Sequence, residues 1–200
     1  MDKRYIFKVE SEKFRLEYSY SGREDNSEIK VEKSNITVRL IDKANSLVEY
    51  LPEKIRWELN FIDKFIPLHP YYPFKFGDIF NDFAFIAIEN ELIKLDLENG
   101  RIIMSNELTN TRIKFVSKFE SRIIVMFDFE NFDIAKHNSN LKMLDKEGEV
   151  IWSAKLINSP DGQLYDHVRT SQGKIEAWSG SMYTSVDKRN GNIDSPQFVK

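Results

Sequence analysis

Apolar and polar residues alternate along much of the chain, and short groups of turn-forming residues interrupt the alternation. Three runs are rich in β-branched and aromatic residues, which favour β-strands. They are FAFIAI at 83–88, RIIVMF at 122–127 and KIEAW at 174–178. Each run precedes a phrase in which a glycine follows an aspartate after three or four residues. This order of strand and turn residues predicts antiparallel hairpins and an all-β fold.

The aspartate–glycine phrase occurs three times in a similar form. An apolar residue directly precedes each aspartate, and a β-branched residue stands two positions beyond each glycine. The short carboxylate can accept hydrogen bonds from turn amides, and glycine supplies the positive φ of a tight hairpin. We therefore interpret these aspartates as turn residues rather than as catalytic acids. The pairs are Asp96 with Gly100, Asp145 with Gly148, and Asp187 with Gly191.

The spacing of the phrases predicts the architecture. Asp145 follows Asp96 by 49 residues and precedes Asp187 by 42, and periods of about 40–50 residues built from four strands are typical of propeller blades. A weaker fourth copy lies at Asp42, where Ser46 takes the place of the glycine. The predicted fold is all-β: a small or irregular β-propeller-like array of about four antiparallel blades.

The repeats resemble the blades of PQQ-like, or quinoprotein-type, propellers. Those blades carry an apolar residue before an aspartate, a turn glycine, and a tryptophan four residues after the glycine. Trp152 stands four residues after Gly148, whereas Met104 and Ser195 occupy the corresponding places in the other two copies. In quinoproteins this tryptophan supports docking between blades. The resemblance covers about residues 76–200, and it implies a blade architecture without implying quinone binding.

The first part of the chain, residues 1–66, follows the repeat only loosely. Its first forty residues contain alternating runs that read as antiparallel strands. The segment 51–66 fits strand alternation and equally fits a helical apolar stripe. A strand is favoured because Trp57 lies in β-rich surroundings, and a short helix is the alternative. We expect one domain over residues 1–200, with the three clearer blade repeats at 76–200.

Composition narrows the class of protein. The chain has 200 residues, of which 41% are hydrophobic, enough for one core. Its 29 basic and 32 acidic residues give a net charge of -3, which argues against a broad face for nucleic acid. The absence of cysteine excludes disulfides and thiolate chemistry. No apolar run matches a signal peptide or a membrane span, so we expect a cytoplasmic protein.

Motifs for chemistry are missing from the sequence. The three histidines lack the spacing of a metal site, and there is no phosphate-binding glycine motif or nucleophile elbow. We therefore predict no catalytic residue, no metal and no cofactor. The enzyme alternative is a small propeller hydrolase or lyase that acts on a carbohydrate-like ligand, with His69 or His167 as the base.

Two segments are suited to contact with another protein. One is the aromatic and proline-rich stretch IPLHPYYPFKFGD at 66–78, whose aromatic side chains can act as anchors. The other is FDFENFD at 127–133, where the middle repeat is about nine or ten residues longer than the others. It is either a protruding acidic–aromatic hairpin or an extended blade edge whose acids block edge pairing. The predicted partner-binding residues are Tyr71, Tyr72, Phe74, Asp128, Phe129, Glu130, Phe132 and Asp133.

The sequence thus favours a non-enzymatic protein-binding module. The most specific hypothesis is an immunity protein, or antitoxin, that neutralises a toxin by covering its active site. A basic nuclease is the expected target, because the acids of the insertion would occupy positions that substrate phosphates otherwise fill. A scaffold or assembly subunit is a further alternative.

Overall fold

The structure is a computed structural model, and it describes residues 3–22, 33–43, 54–65, 75–129, 132–157 and 164–198. Within these ranges the chain forms four antiparallel sheets of four strands each. Each sheet consists of strands that are consecutive in sequence, and we number the sheets as blades 1 to 4. The predicted all-β array of about four blades is therefore confirmed.

Blades 1 and 2 comprise the first eight strands. Blade 1 contains β1 (Lys3–Glu10), β2 (Phe14–Gly22), β3 (Lys33–Asp42) and β4 (Lys54–Phe65). Blade 2 contains β5 (Gly77–Ile79), β6 (Phe83–Ile88), β7 (Glu91–Asp96) and β8 (Ile102–Glu107).

Blades 3 and 4 comprise the remaining strands and a one-turn helix. Blade 3 contains β9 (Ile113–Phe119), β10 (Arg122–Phe127), β11 (Leu141–Leu144) and β12 (Val150–Ser153), with α1 (Ile134–His137) between β10 and β11. Blade 4 contains β13 (His167–Ser171), β14 (Lys174–Ser179), β15 (Met182–Val186) and β16 (Gln197–Phe198).

The segment that the sequence left open between strand and helix is the strand β4, as favoured. Its residues alternate across the sheet, so that Trp57 is buried while Arg56 and Glu58 are exposed. The weaker fourth copy of the repeat also takes its expected place. Asp42 ends the third strand of blade 1, as Asp96 ends the third strand of blade 2.

The repeated aspartates cap their turns as predicted. The Asp96 carboxylate accepts a hydrogen bond of 2.7 Å from the amide of Glu98, and the Asp187 carboxylate accepts one of 2.9 Å from the amide of Arg189. Asp145 accepts two bonds of 2.9 Å from turn amides. The turn glycines have φ values of 74°, 85° and 73°, in the left-handed region that favours glycine.

The core of the described part lies between blades. Three apolar clusters are present, and each combines residues of two successive blades. The middle blades are therefore buried on both faces, which explains why β6 and β10 read as continuous apolar runs rather than as alternating ones. Blade 1 alternates because only one of its faces joins a cluster: Leu16 and Tyr18 are buried there, whereas Glu17 points to the other face.

Successive blades are also joined by a side chain that docks on a turn. The Trp152 ring of blade 3 lies over Gly191 of blade 4, where an added Cβ would stand 2.9 Å from the ring. Its indole N–H donates a hydrogen bond of 3.1 Å to the carbonyl of Lys188 in the same turn. The docking role that the quinoprotein resemblance implies for this tryptophan is thus present.

The same junction recurs between the earlier blades. Trp57 of blade 1 lies over Gly100 of blade 2 and donates a hydrogen bond of 3.1 Å to the carbonyl of Leu97. Met104 of blade 2 contacts the site of Gly148 in blade 3, where its thioether provides no donor. The ammonium of Lys94 supplies that donor, 2.6 Å from the carbonyl of Lys146.

Candidate interaction surface

The insertion in blade 3 is fixed at its base by a buried asparagine. The Asn140 amide donates hydrogen bonds of 3.0 Å to the carbonyl of Phe127 and 2.7 Å to that of Tyr165. Its side-chain oxygen accepts a bond of 2.9 Å from the amide of Tyr165. Asn140 therefore ties both ends of the insertion to the connection that leads into blade 4.

The insertion itself contains a helical turn. The Asp133 side chain accepts a hydrogen bond of 3.1 Å from the amide of Lys136, which makes Asp133 the N-cap of α1. Pairing of β10 with β11 ends at Met126 and Leu141. Glu130 and Asn131 lie outside the described residues. At residues 128–129 and 132–140 the insertion forms no strand. For this part of the insertion, the predictions of a hairpin and of an extended blade edge are therefore wrong, because the Asp133 cap favours a helical turn over a strand.

Phe132 points inward, contrary to its prediction as a contact residue. Its side chain is only 8% exposed, and its ring lies 5.9 Å from that of Phe127 and 5.7 Å from that of His137. Phe132 precedes the N-cap and contacts the fourth helical residue, which is the arrangement of a hydrophobic staple. The staple directs this ring to the core and so fixes where α1 starts.

Phe129 and Ile134 are the large apolar side chains that the described part of the insertion exposes, at 37% and 38%. The Phe129 ring lies 4.9 Å from the ammonium of the buried Lys114. Ile134 was not among the predicted contact residues, because a single isoleucine in a short polar segment has no periodic pattern to mark it. We call the exposed residues among the described part of the insertion the insertion patch; they are Phe129, Asp133, Ile134, Ala135, Lys136 and Asn138.

Asp128 is the one residue described by the structure among the five other predicted contact residues. Asp128 is half-buried, and its amide donates a hydrogen bond of 2.8 Å to the carbonyl of Arg112. The Arg112 guanidinium lies 5.0 Å from the ring centroid of Phe65, so the end of β4 lies near the insertion. The aromatic stretch follows Phe65 directly. Four predicted residues lie outside the described ranges: Glu130, Tyr71, Tyr72 and Phe74, as does His69 of the enzyme alternative.

Cations surround the histidine of the insertion. The buried Lys142 ammonium donates a hydrogen bond of 3.3 Å to the carbonyl of His137, and burial lowers the pKa of Lys142. Burial, followed by the charges of Lys142 and Lys136, lowers the pKa of His137, although Asp133 opposes the shift. His137 Nε2 is buried and has no hydrogen-bond partner among the described residues.

The two outward faces of the array differ from the apolar faces between blades. On blade 1 this face carries ion pairs, such as that between Arg39 Nε and Glu58 Oε2 at 2.5 Å. On blade 4 it carries a row of rings, in which Trp178 lies 4.9 Å from His167 and 5.1 Å from Tyr183. Burial lowers the pKa of His167, and Asp166 opposes the shift.

Two further features concern metals and membranes. In the described ranges, His, Asp and Glu side chains do not gather in any group of three or more that could hold a metal ion. The helix in this part of the chain is too short to cross a membrane.

The substitution of Asp133 tests the cap of α1. Asp133→Ala is expected to destabilise the helical turn by about 1 kcal/mol, because it removes the acceptor for the Lys136 amide. Asp133→Asn keeps an acceptor of similar length and should leave the turn nearly unchanged. Hydrogen exchange of the His137 and Asn138 amides measures the difference, and equal protection in the two variants would contradict the assigned cap.

The fold and the comparisons together define the class of protein. The chain forms an array of antiparallel four-stranded blades of the β-propeller type. It is similar over 92% of its length to BamB from Moraxella catarrhalis (10% identity, 63% of that chain, TM-score 0.48). It is similar over 99% to the C-terminal WD40 domain of Sif2 (13% identity, 62% of that chain, TM-score 0.48). A further similarity, over 98%, is to the computationally designed Ika8 protein (7% identity, 62% of that chain, TM-score 0.55).

Residues 92–198 match the model of a family described as domain of unknown function DUF7957, and the chain belongs to this family. None of the curated proteins searched matches the sequence. The chain spans less than two thirds of the length of each of these three structures. The four antiparallel sheets are consistent with the PQQ-like resemblance at the level of architecture, and the finer quinoprotein-type assignment stays a prediction.

Proposed function

We propose that the protein is a non-enzymatic protein-binding module that contacts its partner through the insertion patch. The observation that carries the proposal is the exposure of Phe129 and Ile134 on an element that is anchored by the buried Phe132 and Asn140. Apolar side chains within a polar rim are typical of protein interfaces. An anchored element also loses little conformational freedom on binding, which favours affinity.

A non-enzymatic role is supported by how the polar groups of the insertion are used. The Asp133 carboxylate caps a helix, and the Asn140 amide makes three hydrogen bonds to backbone groups. These groups hold the backbone in place. The His167 ring of the enzyme alternative lies against the Trp178 ring.

The finer form of the proposal is an immunity protein whose partner is a toxin with a basic active site. The acidic residues of the insertion support it, because exposed carboxylates attract a basic surface and accelerate association. Asp133 is exposed, and Asp128, five residues earlier, is half-buried. In this form the insertion covers the site at which the toxin would bind its substrate.

The double variant Phe129→Ser, Ile134→Ser tests the patch. Loss of two apolar contacts from the centre of an interface is expected to weaken partner binding about tenfold or more. Binding is measured by recovery of a stoichiometric partner from the native host and then by titration with that partner. The matched control is Ile102→Ser, Ile103→Ser, because these side chains on the outer strand β8 are 46% and 48% exposed. Equal binding by the two double variants would contradict the proposal.

The charge of the insertion tests the finer form. Asp128→Asn, Glu130→Gln and Asp133→Asn together are expected to slow association with a toxin at low salt, and the difference should shrink as salt is added. The asparagine at 133 preserves the cap, so the fold of α1 is retained. Stopped-flow association rates provide the measurement. An unchanged rate at low salt would remove the electrostatic toxin hypothesis and leave the binding module intact.

A further inference from the structure

We propose that α1 is a pH-sensitive latch, in which protonation of His137 releases the helical turn and loosens the insertion patch. The proposal rests on the function proposed above, since it concerns regulation of the same surface. The latch consists of His137, its staple partner Phe132, and Lys142 on the adjacent strand β11. It holds when His137 is neutral and opens when His137 carries a charge.

The geometry of His137 suits the neutral ring. One side of the imidazole contacts the Phe132 ring at 5.7 Å, an apolar neighbour that offers no acceptor for a second N–H. Its Nε2 is buried without a hydrogen-bond partner in the described part of the chain. A protonated imidazole has two donors that require acceptors. Protonation in place therefore leaves a buried donor unsatisfied, which costs free energy.

The charges around His137 oppose protonation as well. Lys142 approaches from β11 and donates to the His137 carbonyl, and Lys136 adjoins His137 on α1 itself. Among the described residues, Asp133 is the acid that acts on His137 in the opposite sense, and its carboxylate already accepts the Lys136 amide. If His137 were charged, it would lie near the cations Lys142 and Lys136, and Asp133 is the described carboxylate that would offset these three positive charges. Movement of α1 away from Lys142 relieves this repulsion.

The sign of the pH dependence follows from these contacts. A histidine whose pKa is lowered in the closed latch binds protons more readily when the latch is open. The closed form is therefore fully stabilised above the ordinary histidine pKa of about 6.5. Its stability falls as the pH drops below that value and through the lowered pKa of His137. Mild acid should open the latch, and the Phe132 staple is released with it.

Hydrogen exchange of the purified full chain tests the latch directly. After correction for intrinsic exchange rates, amides of the segment 134–141 are expected to lose protection between pH 7.5 and pH 5.5. His137→Phe keeps a ring against Phe132 and cannot be protonated, so this variant should keep its protection at pH 5.5. His167→Phe is the control, because the pKa of His167 is also lowered but its ring lies on blade 4. The His167→Phe variant should lose protection at pH 5.5 to the same extent as the wild type.

Two results would overturn the latch: unchanged protection of the wild type at pH 5.5, or an equal loss in His137→Phe. If His137→Phe fails to fold, Lys142→Met provides a second route, since removal of the ammonium should reduce the loss of protection. In that case, the pH titration of the His137 imidazole NMR resonance in the wild type is also measured, and its midpoint is expected below the ordinary histidine pKa of about 6.5. These measurements need no partner. Failure of the patch variants to affect binding would reject the proposed function, whereas failure of the exchange experiment would reject only the latch.

Discussion

Trp152→Ala is expected to lower the free energy of unfolding by about 3–5 kcal/mol, the range found for loss of a large aromatic side chain from a core. The ring fills the space above Gly191 and belongs to the apolar cluster of blades 3 and 4. Its removal leaves a cavity at the junction of the two blades. Denaturant unfolding followed by far-ultraviolet circular dichroism measures the loss.

Two further variants separate packing from hydrogen bonding at this junction. Trp152→Phe keeps most of the ring but loses the N–H, and Arg122 still donates to the Lys188 carbonyl at 3.2 Å. The loss should therefore be close to the net value of one hydrogen bond, about 0.5–1.5 kcal/mol, plus a small packing term. Trp178→Ala, on the outward face of blade 4, should cost clearly less than Trp152→Ala. Equal losses for the two alanine variants would show that Trp152 does not join blades.

Gly191→Ala should have the second large effect, for two separate reasons. The residue has a φ of 73°, and a side chain in the left-handed region costs about 1–2 kcal/mol. An added Cβ would also lie 2.9 Å from the Trp152 ring and 2.9 Å from the Ser153 carbonyl oxygen. Overpacking of this kind costs about 1–3 kcal/mol more. The measurement is the midpoint of denaturant unfolding together with its slope.

Gly180 provides the matched control for this variant. Its φ is 57°, and no atom of the residues that the structure describes lies within 4 Å of the position that a Cβ would occupy. Gly180→Ala should therefore show the conformational cost without the steric one. Gly191→Ala must be the more destabilised of the two; the reverse order would mean that the close approach of Trp152 is not maintained in solution.

The hairpins of this fold could be predicted because their chemistry is local. An aspartate that accepts turn amides and a glycine at positive φ lie within five residues of each other, so both appear in one short phrase. The docking of Trp57 on Gly100 is different, because the two residues belong to different blades and are 43 positions apart in the chain. Alignment within blades therefore exposed Trp152 and passed over Trp57, whose own copy of the repeat lacks the glycine.

The insertion was located from the sequence, but its shape was not. A length comparison between repeats is enough to show where residues are added. The orientation of Phe132 depends on the staple to His137, and that contact forms only once the helical turn is present. The sequence predicted both Phe129 and Phe132 as contact residues, because acidic and aromatic residues are interleaved along the insertion. The Asp133 cap ends that alternation and turns Phe132 toward the core.

The docking contacts have a direction, and this has a consequence for how such arrays can grow. Each stretch that makes both contacts begins with a turn glycine, on which the bulky residue of the preceding blade packs. Four residues later it has a bulky residue of its own, which packs on the glycine of the next blade, as Gly148 and Trp152 show. Tandem duplication of such a stretch would copy both the glycine and the bulky residue, so an added blade would contain both residues needed for contacts with its neighbours. Ser195 stands four residues after Gly191, so the repeat of blade 4 has the turn glycine of this contact but not its bulky residue.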